Sequence, residues 1–206
     1  MIDVYAFATP NSVKVPIALE ELGLDYTLHP VNVRKGEQKA DAFLALNPNG
    51  KVPVLVDDGF VLTESAAILV HLAERSGRLI PADAQGRARV FEQLFFHASA
   101  LSPAFGQAGF FLRFAAEPQP IAIERFSAEA HRTLSLLDAV LAERPFVAGD
   151  SFTIADIAHF GWLWRRAFPG IDFDQTPHVA RWYAAIESRP AVQRAIVRTE
   201  ALVPQD

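Results

Sequence analysis

At 206 residues, half of them hydrophobic and 21% charged, the chain has the size and balance of a globular protein with one large domain or two small ones. Its net charge of −5 with no offsetting basic cluster excludes nucleic acid as the expected partner, and no apolar run approaches the ~20 residues of a membrane span. The start, Met-Ile-Asp-Val-Tyr, lacks the basic and apolar regions of a signal peptide, so the cytoplasm is the expected location.

There is no cysteine, which removes disulfides, thiolate metal sites and any cysteine nucleophile at once. Any sulfur chemistry must arrive with a ligand. The six histidines are scattered without short metal-ligand spacing, and no metal site is expected.

Residues 2–7 read as a short strand, mixing apolar and β-branched side chains. Ala8-Thr9-Pro10-Asn11-Ser12 is a loop, with Asn11 or Ser12 available to cap the helix that follows. That helix must start near Ser12 or Val13, because Pro16 is tolerated only in a first turn, and Gly23 is a natural stop after Leu22. Residues 26–33 predict a second strand, Gly36-Glu37-Gln38 a loop and residues 39–46 a short helix. Asn47-Pro48-Asn49-Gly50 is dense turn punctuation. Residues 52–56 and 60–62 are short apolar strands joined by Asp58-Gly59, a type I′ hairpin signal because both positions need φ > 0. A helix then runs from Ser65 to about Arg75, with Gly77 past its end.

The first 77 residues therefore read β-α-β-α-β-β-α, which suits a mixed sheet covered by helices, and residues 78–86 read as a linker. From residue 87 onward the periods are helical: 87–100, 105–116 and 121–143 in succession. Thr153-Ile154-Ala155-Asp156 fits a capping box in acidic form, flanked by Phe152 and Ile157 at the positions of a hydrophobic staple. The helix behind it carries Trp162 and Trp164, Thr176-Pro177 opens another through Trp182 and Tyr183, and Pro190 heads a last one.

The stretch 47–67 has the features of a peptide-binding edge. Pro53 has no backbone N–H and belongs at a strand's start or on an edge. A cis Val52-Pro53 bond would hold the Val52 backbone out for an extended peptide to pair with. Glu64-Ser65 at a helix N-terminus joins a carboxylate to free backbone donors, which suits a group bearing both an amine and a carboxylate. On spacing alone a plain hairpin followed by a capped helix explains the stretch equally well.

A βαβαββα half with Val52-Pro53 before its third strand and Glu64-Ser65 before its third helix, followed by a helical half with the Thr153 cap, resembles the glutathione transferase family over nearly the whole chain. The resemblance implies an α/β thioredoxin-like domain (residues 1–77), a linker (78–86), an all-α domain (87–206) and usually a homodimer, with glutathione as co-substrate. In that family the loop after the first strand holds the glutathione sulfur. Tyr5 falls too early for a catalytic tyrosine, whereas Thr9 falls where the serine-type classes place their hydroxyl. Thr9-Pro10-Asn11, with Gly36-Glu37-Gln38 and Asn47-Pro48-Asn49, is similar to the bacterial Nu-class of disulfide-bond oxidoreductases, in which the threonine and the asparagine two residues on are the sulfur-site residues. Ser12 departs from that pattern, which leads one to expect glycine. Taken alone, Thr-Pro-Asn-Ser is also a plausible turn.

The resemblance further implies that Glu64 takes the γ-glutamyl amine and Ser65 its carboxylate, that Val52, ahead of Pro53, pairs with the cysteinyl unit, and that Lys51 and Gln38 reach the glycyl carboxylate. Arg132 resembles a helical-domain arginine used on glutathione. Phe105, Phe110, Phe111, Phe114 and Trp164 are candidates for an apolar second-substrate pocket expected between the domains. The chemistry required is thiolate stabilisation, since a free thiol of pKa near ~8.5 is mostly protonated at neutral pH. A hundredfold gain in acidity corresponds to roughly 2.7 kcal/mol, within reach of two hydrogen bonds and a helix end. Three functions are then open: reduction of small disulfides with two glutathiones, addition of glutathione to apolar electrophiles, or ligand binding with little turnover.

Overall fold

The computed structural model describes residues 1–204. Four strands form one sheet in the order β2-β1-β3-β4, with β1 at Ile2–Ala6, β2 at Thr27–Pro30, β3 at Val54–Asp57 and β4 at Phe60–Thr63. β1 runs parallel to β2, in register Asp3 with Thr27, and antiparallel to β3, Ile2 facing Asp57. The parallel pair needs a crossover, supplied by helix α1 (Lys14–Leu22), whereas β3 and β4 are joined by the expected hairpin. Asp58 (φ 49°) and Gly59 (φ 87°) both take positive φ, which the I′ turn requires. A single 3₁₀ turn (Glu37–Lys39) and helix α2 (Asp41–Leu44) replace the one short helix expected there, and α3 (Ser65–Ser76) follows β4.

The chain packs as two units. The first comprises Met1–Arg78 together with the stretch from Glu187 onward. Its core is made by Val4 and Ala6 of β1, Ile17 and Leu19 of α1, Val54 and Leu55 of β3, and Ile68, Leu69 and Leu72 of α3, all without accessible surface. Helix α9 (Pro190–Glu200) lays Val192, Ala195 and Thr199 inward and packs against α1. Charges fix it there: Arg189 donates to Glu21 at 2.6 and 2.9 Å, while Arg194 and Arg198 both reach Glu20.

The second unit, Leu79–Ile186, is helical: α4 (Ala84–Phe96), α5 (Ser102–Arg113), α6 (Pro120–Glu143), α7 (Ile154–Trp164) and most of α8 (Pro177–Glu187). The all-helical half expected over 87–206 thus differs at both ends. Its first helix begins inside the expected linker, because Asp83 caps it on the Gly86 N–H at 2.8 Å. Its last helix clusters with the first unit, because its arginines find partners on α1. Residues 97–101 form a single π turn that carries α4 directly into α5, where a break was expected.

Helix α7 is buried on every side from Ile154 to Leu163 and runs through the core of this unit. Its start is the capping box read from the sequence. Asp156 accepts from the backbone N–H of Thr153 (2.9 Å) and Val147 (2.9 Å), the Thr153 hydroxyl (3.2 Å) and Trp182 Nε1 (2.9 Å). Burial pushes its carboxyl up to about 6, against the pull of those four donors. Among the described residues no helix is long and apolar enough to cross a membrane.

Candidate functional site

The loop leaving β1 folds tightly on itself. Thr9 N–H donates to the Phe7 carbonyl at 2.7 Å, and Val13 N–H returns to the Thr9 carbonyl at 3.2 Å. The side chains continue the pattern. Ser12 N–H donates to Thr9 Oγ1 at 3.2 Å, the Thr9 and Ser12 hydroxyl oxygens lie 2.9 Å apart, and Phe7 N–H points at Ser12 Oγ from 3.4 Å. Ser12 is fully enclosed, whereas Thr9 and Asn11 remain partly accessible.

Neither Asn11 nor Ser12 caps α1, contrary to expectation. The N-cap position falls to Val13, in helical conformation and with no side-chain cap. The reason is that both polar side chains are engaged elsewhere: Ser12 with Thr9, and Asn11 with Lys14, whose Nζ donates to Asn11 Oδ1 at 2.7 Å. Sequence reasoning passed over Lys14. One signal pointed to it. Positions three, four and eight residues on are Ile17, Ala18 and Leu22, so Lys14 shares the apolar face of its helix.

Lys14 is 1% exposed and donates also to Ser65 Oγ at 3.3 Å. Burial lowers its ammonium from the ordinary 10.5 to about 7, with the neighbouring Glu64 carboxylate working the other way. Around this one cation the fold therefore gathers Asn11 from the first loop and Glu64-Ser65 from the start of α3, more than fifty residues away in sequence. In the same loop Thr9 is bonded to Ser12.

Glu64 stands at φ 66°, ψ 110°, a conformation that costs a side-chain-bearing residue of order 1–3 kcal/mol. It is exposed, and its side chain caps nothing. The first-turn N–H groups of α3 are thus left without a side-chain acceptor, next to a carboxylate and the Ser65 hydroxyl.

The remaining candidates of the first unit lie in and near the segment that leads into β3, an inner strand of the sheet. Val52-Pro53 is cis, and Val54 immediately afterwards pairs with Tyr5 and Thr63. Asn47 organises the approach. Its amide donates to the Lys51 carbonyl at 2.7 Å, and its carbonyl oxygens hold the Gly50 and Asn49 N–H groups. Gly50 (φ 61°) permits a close approach, since a Cβ there would meet Lys39 Nζ at 3.0 Å and the Gln38 carbonyl at 3.1 Å. The Gln38 backbone thus lies against Gly50, the residue before Lys51. The Gln38 Oε1 is buried without a hydrogen-bond partner, while Lys51 is exposed.

In the second unit Arg132 is exposed and forks onto Glu129 of its own helix at 2.8 and 2.6 Å. Phe105 has no accessible surface and meets Trp162 edge-on, so it is a core residue rather than part of any pocket wall. Phe111 stacks on Phe126 and meets Phe110 edge-on. Phe110 and Phe114 are 46% and 69% exposed, and Phe114 leans on Phe168. Trp164, half-buried, carries the Arg165 guanidinium on its face at 3.8 Å.

The chain has relatives among known proteins. Residues 8–75 match the family Glutathione S-transferase, N-terminal domain, and residues 97–190 match Glutathione S-transferase, C-terminal domain. The chain is 38% identical to the disulfide-bond oxidoreductase YfcG of Escherichia coli K12, over 97% of this chain and 96% of that protein. A glutathione transferase family member from Pseudomonas fluorescens, solved with two glutathione bound, is 37% identical and superposes with a TM-score of 0.89 over 95% of this chain and 92% of its own. A glutathione transferase from Pseudomonas putida, solved with one glutathione disulfide bound per subunit, is 36% identical with a TM-score of 0.90 over 95% and 90%. The chain belongs to the glutathione S-transferase family.

Proposed function

We propose that this protein binds glutathione along the edge of its first unit and uses it to reduce small disulfides. The observation that carries the reading is the meeting of Asn11, two residues on from Thr9, with Glu64-Ser65 around Lys14 in a chain that has no thiol of its own. A site lacking a protein cysteine must take its nucleophilic sulfur from the ligand. The relatives support the same reading: one is a disulfide-bond oxidoreductase, and others hold two glutathiones or one glutathione disulfide.

In this reading Glu64 and Ser65 receive the γ-glutamyl amine and carboxylate, the backbone of Val52 ahead of cis-Pro53 pairs with the cysteinyl unit, and Gln38 and Lys51 meet the glycyl carboxylate. Thr9 and Asn11 donate to the sulfur, and their hydrogen bonds favour the thiolate. The thiolate attacks one sulfur of the substrate disulfide; a new S–S bond forms, the old one breaks, and one substrate thiolate leaves and takes a proton. A second glutathione thiolate then attacks the glutathione sulfur of the mixed disulfide and expels the other substrate thiolate. Two glutathiones are oxidised and one disulfide is reduced. The working form is a homodimer in the cytoplasm.

Calorimetric titration with reduced and with oxidised glutathione tests this, on the parent and on Thr9→Ala and Asn11→Ala. Binding of the oxidised form that both substitutions weaken, with glutathione-dependent turnover of a small aliphatic disulfide, is the expected result. Binding of the reduced form alone, with turnover of an apolar electrophile instead, would replace disulfide reduction by conjugation. Binding of both forms without either turnover would leave a ligand carrier, and no binding of either would overturn the reading.

A further inference from the structure

A lysine normally keeps its ammonium in water and buries only its stem. Lys14 does the reverse, at 1% exposure, with Nζ 2.7 Å from Asn11 Oδ1 and 3.3 Å from Ser65 Oγ. Nζ donates to the Asn11 amide oxygen, and in its ammonium form, held below about pH 7, Lys14 has no lone pair with which to accept in return. The amide oxygen therefore faces Lys14, which directs the two N–H donors away from it. Asn11 is only partly buried, so the NH₂ end is what remains to meet a ligand. The opposite rotamer would set an oxygen lone pair against that ligand. Beside a sulfur the difference is decisive: an N–H favours the thiolate, and an oxygen disfavours it.

We propose that Lys14 is a positioning residue of the site. It holds the Asn11 amide in the orientation that presents N–H to the glutathione sulfur. This rests on the reading that Asn11 meets the sulfur. Lys14 touches no reacting atom; it acts through Asn11. Its charge would also stabilise a nearby thiolate through space, and a test must separate the two routes.

The experiment is a pH titration of the ultraviolet absorbance of the glutathione thiolate bound to the parent, Lys14→Met, Asn11→Ala and the double variant. Affinity for S-methylglutathione, which has no ionisable thiol, is measured beside it. The expected result is that Lys14→Met makes the bound thiol about tenfold less acidic, that S-methylglutathione binds within about twofold of the parent, and that Lys14→Met adds nothing once Asn11 is alanine. An equal loss of acidity in the Asn11→Ala background would assign the effect to through-space charge and overturn the proposal. So would an unchanged thiol with both ligands weakened alike, the mark of a merely structural lysine. Failure of the parent to bind glutathione at all would instead overturn the site reading on which the proposal stands.

A second measurement needs no variant at Lys14. The side-chain amide of Asn11, assigned by NMR through its loss in Asn11→Ala, should shift strongly when glutathione is bound as thiolate and little with S-methylglutathione. Equal shifts with both ligands would overturn the proposal.

Discussion

Lys14→Met should make the first unit more stable at neutral pH and less stable in base. Burial lowers the Lys14 ammonium from 10.5 to about 7, which corresponds to roughly 5 kcal/mol against the charged form. Between those two values the unfolded chain holds a proton that the folded one does not. Stability therefore rises with pH across that window and sits at its lowest, as far as this group is concerned, at about pH 7 and below. Methionine has nearly the same length and bears no charge. It removes the penalty but also the donors to Asn11 Oδ1 and Ser65 Oγ, each worth about 1–2 kcal/mol where water can partly replace them. The variant should gain about 1–3 kcal/mol at about pH 6.5 and lose about 1–3 kcal/mol at about pH 10, where the parent lysine is neutral and still donates. Tryptophan fluorescence is the wrong probe, since Trp162, Trp164 and Trp182 all lie in the second unit. Amide hydrogen exchange of β1 and α1 in denaturant reads the correct one. A variant less stable than its parent at both pH values, by the same amount, would refute the reasoning.

Three further outcomes follow from the packing. Asp156→Ala strips the acceptor from Thr153 N–H, Val147 N–H and Trp182 Nε1 together, and should cost the second unit roughly 3–5 kcal/mol, read as a fall in the midpoint of the tryptophan unfolding transition. Gly109→Ala would place a Cβ 2.1 Å from the Phe168 ring; displacing that ring should cost about 1–3 kcal/mol by the same assay, and Gly109→Ser no less. Burial raises the Asp57 carboxyl, but hydrogen bonds from Arg75 and His71 and their charges outweigh it and hold the group below its usual value. The stability it contributes is therefore present above about pH 4 and lost as pH falls further, and Asp57→Asn should flatten that acid limb in a pH series of unfolding midpoints while costing about 1–2 kcal/mol at neutral pH.

What was legible in the sequence was what local chain chemistry decides. The Asp58-Gly59 turn and the Thr153 box came through because each is settled within a few residues by φ preference and capping. The start of α1 did not. Its expected cap residues are claimed by Lys14 and Thr9, and only the folded loop brings those groups into reach. The helices expected over 87–100 and 105–116 leave a gap between them, yet the π turn at 97–101 carries one into the other and sets Pro103 in the first turn of α5, where its missing N–H costs nothing. The placement of α9 rests on Glu20 and Glu21 meeting arginines some 170 residues away, and no periodicity encodes that. Of the site, the residue types and their order were readable from family resemblance. The buried cation that draws Asn11 and Ser65 together was not, since its one local mark is the face that Lys14 shares with Ile17 and Leu22, and its partner Ser65 lies 51 residues away.

Ser12 is the point where the chain leaves the expected pattern, and it changes what the Thr9 hydroxyl is bonded to. The Thr9 hydroxyl donates to Ser12 Oγ at 2.9 Å, Ser12 Oγ also accepts from the Phe7 N–H, and Thr9 Oγ1 accepts from the Ser12 N–H. A glycine at this position would keep the last of these bonds and leave the Thr9 proton without its partner inside the loop. In the proposed reading, Thr9 must give up its bond to Ser12 in order to donate to a sulfur. Two hydroxyls reverse their sense by rotating their protons, so Ser12 can then donate to Thr9 Oγ1 while still accepting from the Phe7 N–H. Thr9 would become the better donor for accepting from Ser12, and the enclosure of Ser12 keeps water from competing. An anionic sulfur at the open end is the acceptor that would draw the pair into that direction.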